Sequence, residues 1–127
     1  MNKNYKTILF IVFLIIVTIG FIIKIPVPLR KLGDKNLHIC FYFFASIFLY
    51  VLNKNNIINI IFLILFGIFI EYLQEFSNRF FHNHIHAKHD FEDVYANIKG
   101  IFYYLICYFV IYFFSSLSKS ISSKSKR

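Results

Sequence analysis

Charge is scarce in this 127-residue chain. Only 16% of it is Asp, Glu, Lys or Arg, against about 25% in an ordinary soluble domain. Apolar residues, counting tyrosine, make up 58%, and the mean hydropathy is +0.63. A chain of this size buries only about two-thirds of its surface on folding, so a soluble version would expose large apolar patches. An ordinary soluble fold is excluded, and lipid forms part of the solvent. Cysteine is nearly absent too. Cys40 and Cys107 both fall inside apolar runs with no C-x-x-C, which excludes a disulfide framework and leaves them as small apolar residues for helix packing. No G-x-S-x-G and no H-E-x-x-H occurs, so the common hydrolase and zinc-protease signatures are missing. No internal repeat is visible. Outside the short tail there is no basic stripe, which excludes nucleic acid as a partner despite a net charge of +8.

The long uncharged runs define the architecture. Thr7 to Ile23 carries no charge and is flanked by Lys3, Lys6 and Lys24. It ends in Phe-Ile-Ile-Lys-Ile-Pro, without the small residues of a signal-peptide cleavage site, and reads as a retained first span over 7–23. Pro26 and Pro28 stop that helix. The second span covers 36–52, with Asp34 as its N-cap or first-turn acid. The Asn53-Lys-Asn-Asn56 turn makes the third span, 57–76, its antiparallel neighbour. A loop over 77–89 leads to a fourth helix that starts near Asp90 and spans 94–114. The Ser/Lys-rich segment 115–127 has too little apolar content to fold alone. The expected fold class is all-α: an integral membrane protein built as an antiparallel up-down bundle of four transmembrane helices.

Placed on that bundle, the charges separate. The N-terminus, the Asn53–Asn56 turn and the tail share one membrane face, with Lys3, Lys6, Lys54, Lys119, Lys124, Lys126 and Arg127 and no acid. The other face carries Lys24, Arg30, Lys31, Lys35, Arg79 and Lys88. Counting Lys and Arg favours both termini in the cytoplasm of a bacterial inner membrane. All six acids (Asp34, Glu71, Glu75, Asp90, Glu92, Asp93) and all five histidines fall on the second face. One face is a basic anchor; the other holds the candidate site.

Three helix ends meet at that site. Asp34 and His38 are four residues apart and share a helix face. Glu71 lies one turn before Gln74 and Glu75. Asp93 and Asn97 continue Asp90 as one polar stripe running toward Gly100. Polar groups at membrane depth are costly and turn inward to pair. His38, Glu71, Gln74, Asp93 and Asn97 are therefore expected to converge, with Asp34 beside them and Tyr42 lining the pocket. Interhelical hydrogen bonding alone is the competing reading, worth about 0.6 kcal/mol per bond.

The order Asp34-Lys35-x-x-His38 with Tyr42, then Glu71-x-x-Gln74, then Asp93-x-x-x-Asn97-x-x-Gly100 resembles the VanZ-like membrane proteins over about residues 34–100. The resemblance implies a small multi-span bacterial membrane protein, in a family whose founding member is linked to glycopeptide (teicoplanin) resistance. The chain departs from the family pattern at Ala87, where members often carry an arginine, and at Lys99, where they usually have a small or apolar residue.

The expected function is a VanZ-like envelope protein whose polar pocket, at the extracytoplasmic helix ends, binds a lipid, a lipid-linked wall precursor or an amphiphilic antibiotic. No cofactor is implied. Two alternatives stand beside it. One is a membrane-embedded hydrolase of lipid phosphates or esters using the His/carboxylate cluster; the other is a structural helical partner subunit. His82, His84, His86 and His89 with Asp90 are additional candidate metal ligands, since alternate imidazoles of an extended segment project to one side.

Overall fold

The computed structural model describes residues 2–22, 33–80 and 91–124. It is all-helical, with no strand among the described residues: α1 (Lys3–Ile22), α2 (Asp34–Leu52), α3 (Asn56–Phe80) and α4 (Phe91–Lys124). Each helix is long and apolar enough to cross a membrane. In hydrocarbon every backbone N–H and C=O must be satisfied internally, so these uncharged runs take the helix, where all such bonds lie within the segment.

The helix boundaries follow local chemistry. Gly33, at φ 78°, takes the N-cap position of α2 without a side-chain cap bond, which places Asp34 in the first turn rather than at the cap. A left-handed φ of this kind suits glycine. At the other end of α2 the Asn53 N–H donates to the Leu49 carbonyl, 2.7 Å away. Asn55 then opens α3: its Oδ1 accepts from the Ile58 N–H at 3.2 Å, a side-chain cap of the usual kind.

Two boundaries differ from the sequence reading. The segment 77–80 is helical, not loop, because α3 runs on to Phe80. An Arg79–Glu75 ion pair four residues apart supports that last turn. The Ser/Lys segment does not part from the fourth helix after Phe114 either: α4 continues to Lys124 over 34 residues. No Gly or Pro follows Gly100, and extending a helix that is already nucleated costs far less than starting one. At 1.5 Å per residue α4 is about 51 Å long, well beyond the roughly 30 Å of a hydrocarbon core.

The packing is up-down-up-down. The three-residue turn sets α2 against α3, and α1 runs beside α3, with Phe10 against Phe62 and Val17 beside Phe66 and Ile70. Phe13 stacks on Phe48 and Phe41 of α2, at 4.9 and 6.2 Å between ring centres. The closest pair is α2 and α4. A Cβ on Gly100 would collide with the Ile39 carbonyl oxygen and lie 2.9 Å from Tyr42 Cβ, so the two backbones touch there. Lipid tails are as apolar as leucine, so such small-residue contacts and interhelical hydrogen bonds must hold the bundle together. Tyr42, Ala45, Leu49, Leu52, Leu63 and Ile101 form the central core. At the end away from the candidate site, Tyr104 of α4 donates to Asn56 Oδ1 at 2.6 Å, and Asn59 Nδ2 donates to the Asn53 carbonyl at 2.7 Å.

The outward faces are aliphatic and aromatic, as a lipid boundary requires: Ile8, Ile15 and Ile16 on α1, Phe44 and Val51 on α2, Leu65 and Phe69 on α3, Phe109 and Phe113 on α4. Cys40 and Cys107 are also exposed. Their apolar context in sequence reflects this lipid-facing surface, not the interhelical packing it implied.

Candidate functional site

The site lies where the first turns of α2 and α4 meet the C-terminal half of α3. On α2, Asp34, His38 and Tyr42 follow at intervals of four and so share a face. Asp34 is exposed, while His38 is 4% and Tyr42 0% exposed. On α4, Asp93 and Asn97 repeat the spacing and both are buried. On α3, Gly67, Glu71 and Gln74 fall on one face, and both polar side chains are buried. All seven residues read from the sequence therefore occupy this end of the bundle, with Asp34 at the rim and the other six inside.

His38 and Asn97 join α2 to α4, with Nδ1 and Oδ1 2.8 Å apart. An amide oxygen can only accept, so His38 donates through Nδ1. That fixes the ring: Nε2 faces the Asp34 carboxylate at 4.0 Å. The same bond turns Asn97 Nδ2 toward α3. There a Cβ added to Gly67 would stand 3.0 Å from both Asn97 Nδ2 and the Tyr42 hydroxyl. The missing side chain of Gly67 thus leaves room for two polar groups. Both the Tyr42 hydroxyl and Asn97 Nδ2 are buried with no hydrogen-bond partner among the described residues. Glu71, one turn along from Gly67, lies within electrostatic range of Tyr42. Leaving a buried polar group unsatisfied costs about 1–3 kcal/mol, which sets these two atoms apart from the bonded His38–Asn97 Oδ1 pair beside them.

Charged side chains surround the mouth. Lys35 of α2 and Glu92 of α4 form an ion pair between the two helix starts. Both are exposed, as is Lys99, whose ammonium sits 5.0 Å above the Tyr95 ring. One group of side chains has the composition of a metal site: ligand atoms of Asp34, His38 and Asp93 all lie within 4.8 Å of one another. The other candidate ligands, His82, His84, His86, His89 and Asp90, lie outside the described residues.

Sequence reasoning missed Gly67 and the Lys35–Glu92 pair. Gly67 stands four residues before Glu71, on the face that carries the acid, and that position was its only signal. Lys35 and Glu92 each neighbour a site residue in sequence, but their meeting depends on the α2–α4 approach at Gly100.

No protein-family model matches the chain, and neither does any curated protein or solved structure.

Proposed function

We propose that the chain is a VanZ-like integral membrane protein of the bacterial envelope whose pocket between α2, α3 and α4 binds the headgroup of an amphiphile. The ligand classes are a membrane lipid, a lipid-linked wall precursor or an amphiphilic antibiotic, with an effect on glycopeptide (teicoplanin) susceptibility. The observation that carries this reading is the pair of buried polar atoms unpartnered among the described residues, the Tyr42 hydroxyl and Asn97 Nδ2, brought together against Gly67. A purely structural set of helix contacts would have paired them, since buried polar atoms are nearly always hydrogen-bonded.

The location supports an amphiphile. The pocket opens at the ends of helices whose outer faces are apolar, so a guest can keep its chains in lipid while its headgroup enters. Asp34, Glu71 and Asp93 make the pocket acidic, which favours hydroxyl- or ammonium-bearing headgroups. Lys3, Lys6, Lys54, Lys119 and Lys124 all belong to the opposite end of the bundle. Counted over the whole chain, seven Lys and Arg at that end against six at the pocket end favour both termini in the cytoplasm and the pocket on the extracytoplasmic side.

Native mass spectrometry of protein purified from its membrane tests the reading. The wild type is expected to retain a lipid-sized adduct that Glu71→Ala/Asp93→Ala loses, with membrane insertion unchanged. Equal adducts on both proteins, or none on either, would sink the pocket. Teicoplanin susceptibility of cells expressing the two forms tests the phenotype separately.

A further inference from the structure

We infer that Asp34, His38 and Asp93 form a binding site for one divalent transition-metal ion at the mouth of the pocket. This assignment shares Asp34 and Asp93 with the amphiphile reading but does not rest on it.

The donor set comes from two helices held at fixed distance. Asp34 and His38 stand one turn apart on α2, and Asp93 faces them from the first turn of α4. Their ligand atoms lie within 4.8 Å of one another. Metal–ligand bonds of about 2.0–2.2 Å set neighbouring tetrahedral ligands about 3.4 Å apart, so the three must close by roughly an ångström. Asp34, with more than half of its side chain exposed, has room to rotate inward. His38 and Asp93 are buried and already held.

Nδ1 of His38 is engaged by Asn97 Oδ1, which leaves Nε2 as the nitrogen on the Asp34 side. Metal-bound histidines characteristically use their second nitrogen in such a bond, which fixes tautomer and ring orientation. Asn97 is in turn 3% exposed, so the residue that orients the ring is itself fixed by packing.

The donor types support the assignment. One imidazole with two carboxylates suits a first-row transition ion such as zinc or manganese better than calcium or magnesium, which prefer oxygen-only sets. The exposure of Asp34 gives the ion its route from water.

The test uses the full chain in detergent micelles, stripped with EDTA and titrated with Co²⁺ as a visible-absorbing probe, with Zn²⁺ added in competition. One Co²⁺ per chain, displaced by Zn²⁺, is expected. Asp34→Asn and Asp93→Asn should each weaken binding at least tenfold, while Glu75→Gln, an acid outside the set, binds as the wild type does. Asp34→Asn changes an exposed position, so unchanged helical circular dichroism separates lost ligation from lost folding. A variant with alanine at His82, His84, His86 and His89 should still bind one ion. Binding that survives both aspartate substitutions overturns the assignment, as does binding lost only in the four-histidine variant. Absence of saturable binding by the wild type also overturns it.

Discussion

His38 of α2 donates through Nδ1 to Asn97 Oδ1 of α4 at 2.8 Å, and both side chains are buried. This bond connects two helices that are far apart in sequence but start at the same membrane face. It also directs the remaining polar atoms of each residue, Nε2 toward Asp34 and Nδ2 toward Gly67. Asn97→Ala removes the acceptor and leaves a buried imidazole donor. A loss of about 1–3 kcal/mol is expected, measured as a lower unfolding midpoint in detergent. A double-mutant cycle with His38→Ala should return a coupling of about 0.6 kcal/mol and no more than about 2.

Gly67→Ala tests the space beside Tyr42 and Asn97. The new methyl would stand 3.0 Å from the Tyr42 hydroxyl and from Asn97 Nδ2, so both must give way slightly. The bundle should stay folded while retention of the lipid-sized adduct falls. Unchanged retention would show that the adduct does not contact these two groups.

Gly100→Ala is expected to be worse for stability than Gly67→Ala, although the added group is the same. At Gly100 the obstacle is the Ile39 carbonyl oxygen and the α2 backbone, which cannot swing aside as a side chain can. Overpacking of this kind costs about 1–3 kcal/mol. Comparing the unfolding midpoints of the two variants checks the order.

The Lys35–Glu92 pair is half-exposed or more on both sides. Glu92→Gln should therefore cost less than about 1 kcal/mol, and the difference should shrink as salt is raised. A larger effect that persists at high salt would mean the pair is shielded from solvent.

Ser116→Pro addresses the overhanging part of α4. All described side chains from Phe109 to Lys119 are exposed, so breaking the helix there should lower the helical circular dichroism signal and leave the unfolding midpoint unchanged. A lower midpoint would show that the overhang supports the bundle.

The four helices and the inward direction of the polar stripes were legible in the sequence because both rest on periodicity. Asp93 and Asn97 at i and i+4, and Asp34, His38 and Tyr42 at steps of four, declare a shared face whatever they pack against. The helical state of Ser115–Lys124 was not legible, because composition reports whether a segment can fold alone and says nothing of a helix handed on from Phe114. Gly67 was hidden for another reason. A missing side chain has meaning only once Tyr42 and Asn97, brought from two other helices, are seen to fill its place. Cys40 and Cys107 were misplaced because, in a membrane protein, an apolar run marks the lipid boundary as readily as the core.

The contact of backbones at Gly100 makes α2 and α4 two rods lying side by side that rock on one point of contact. Asp93 lies about 10 Å along α4 on one side of it and Tyr108 about 12 Å on the other, taking 1.5 Å per residue. Widening the gap between Asp34 and Asp93 therefore presses the opposite arms together, where Tyr50 and Tyr108 already meet with ring centres 5.3 Å apart. Bulk at that aromatic contact, far from the polar residues and at the depth of the lipid chains, sets a limit on how wide the mouth can open.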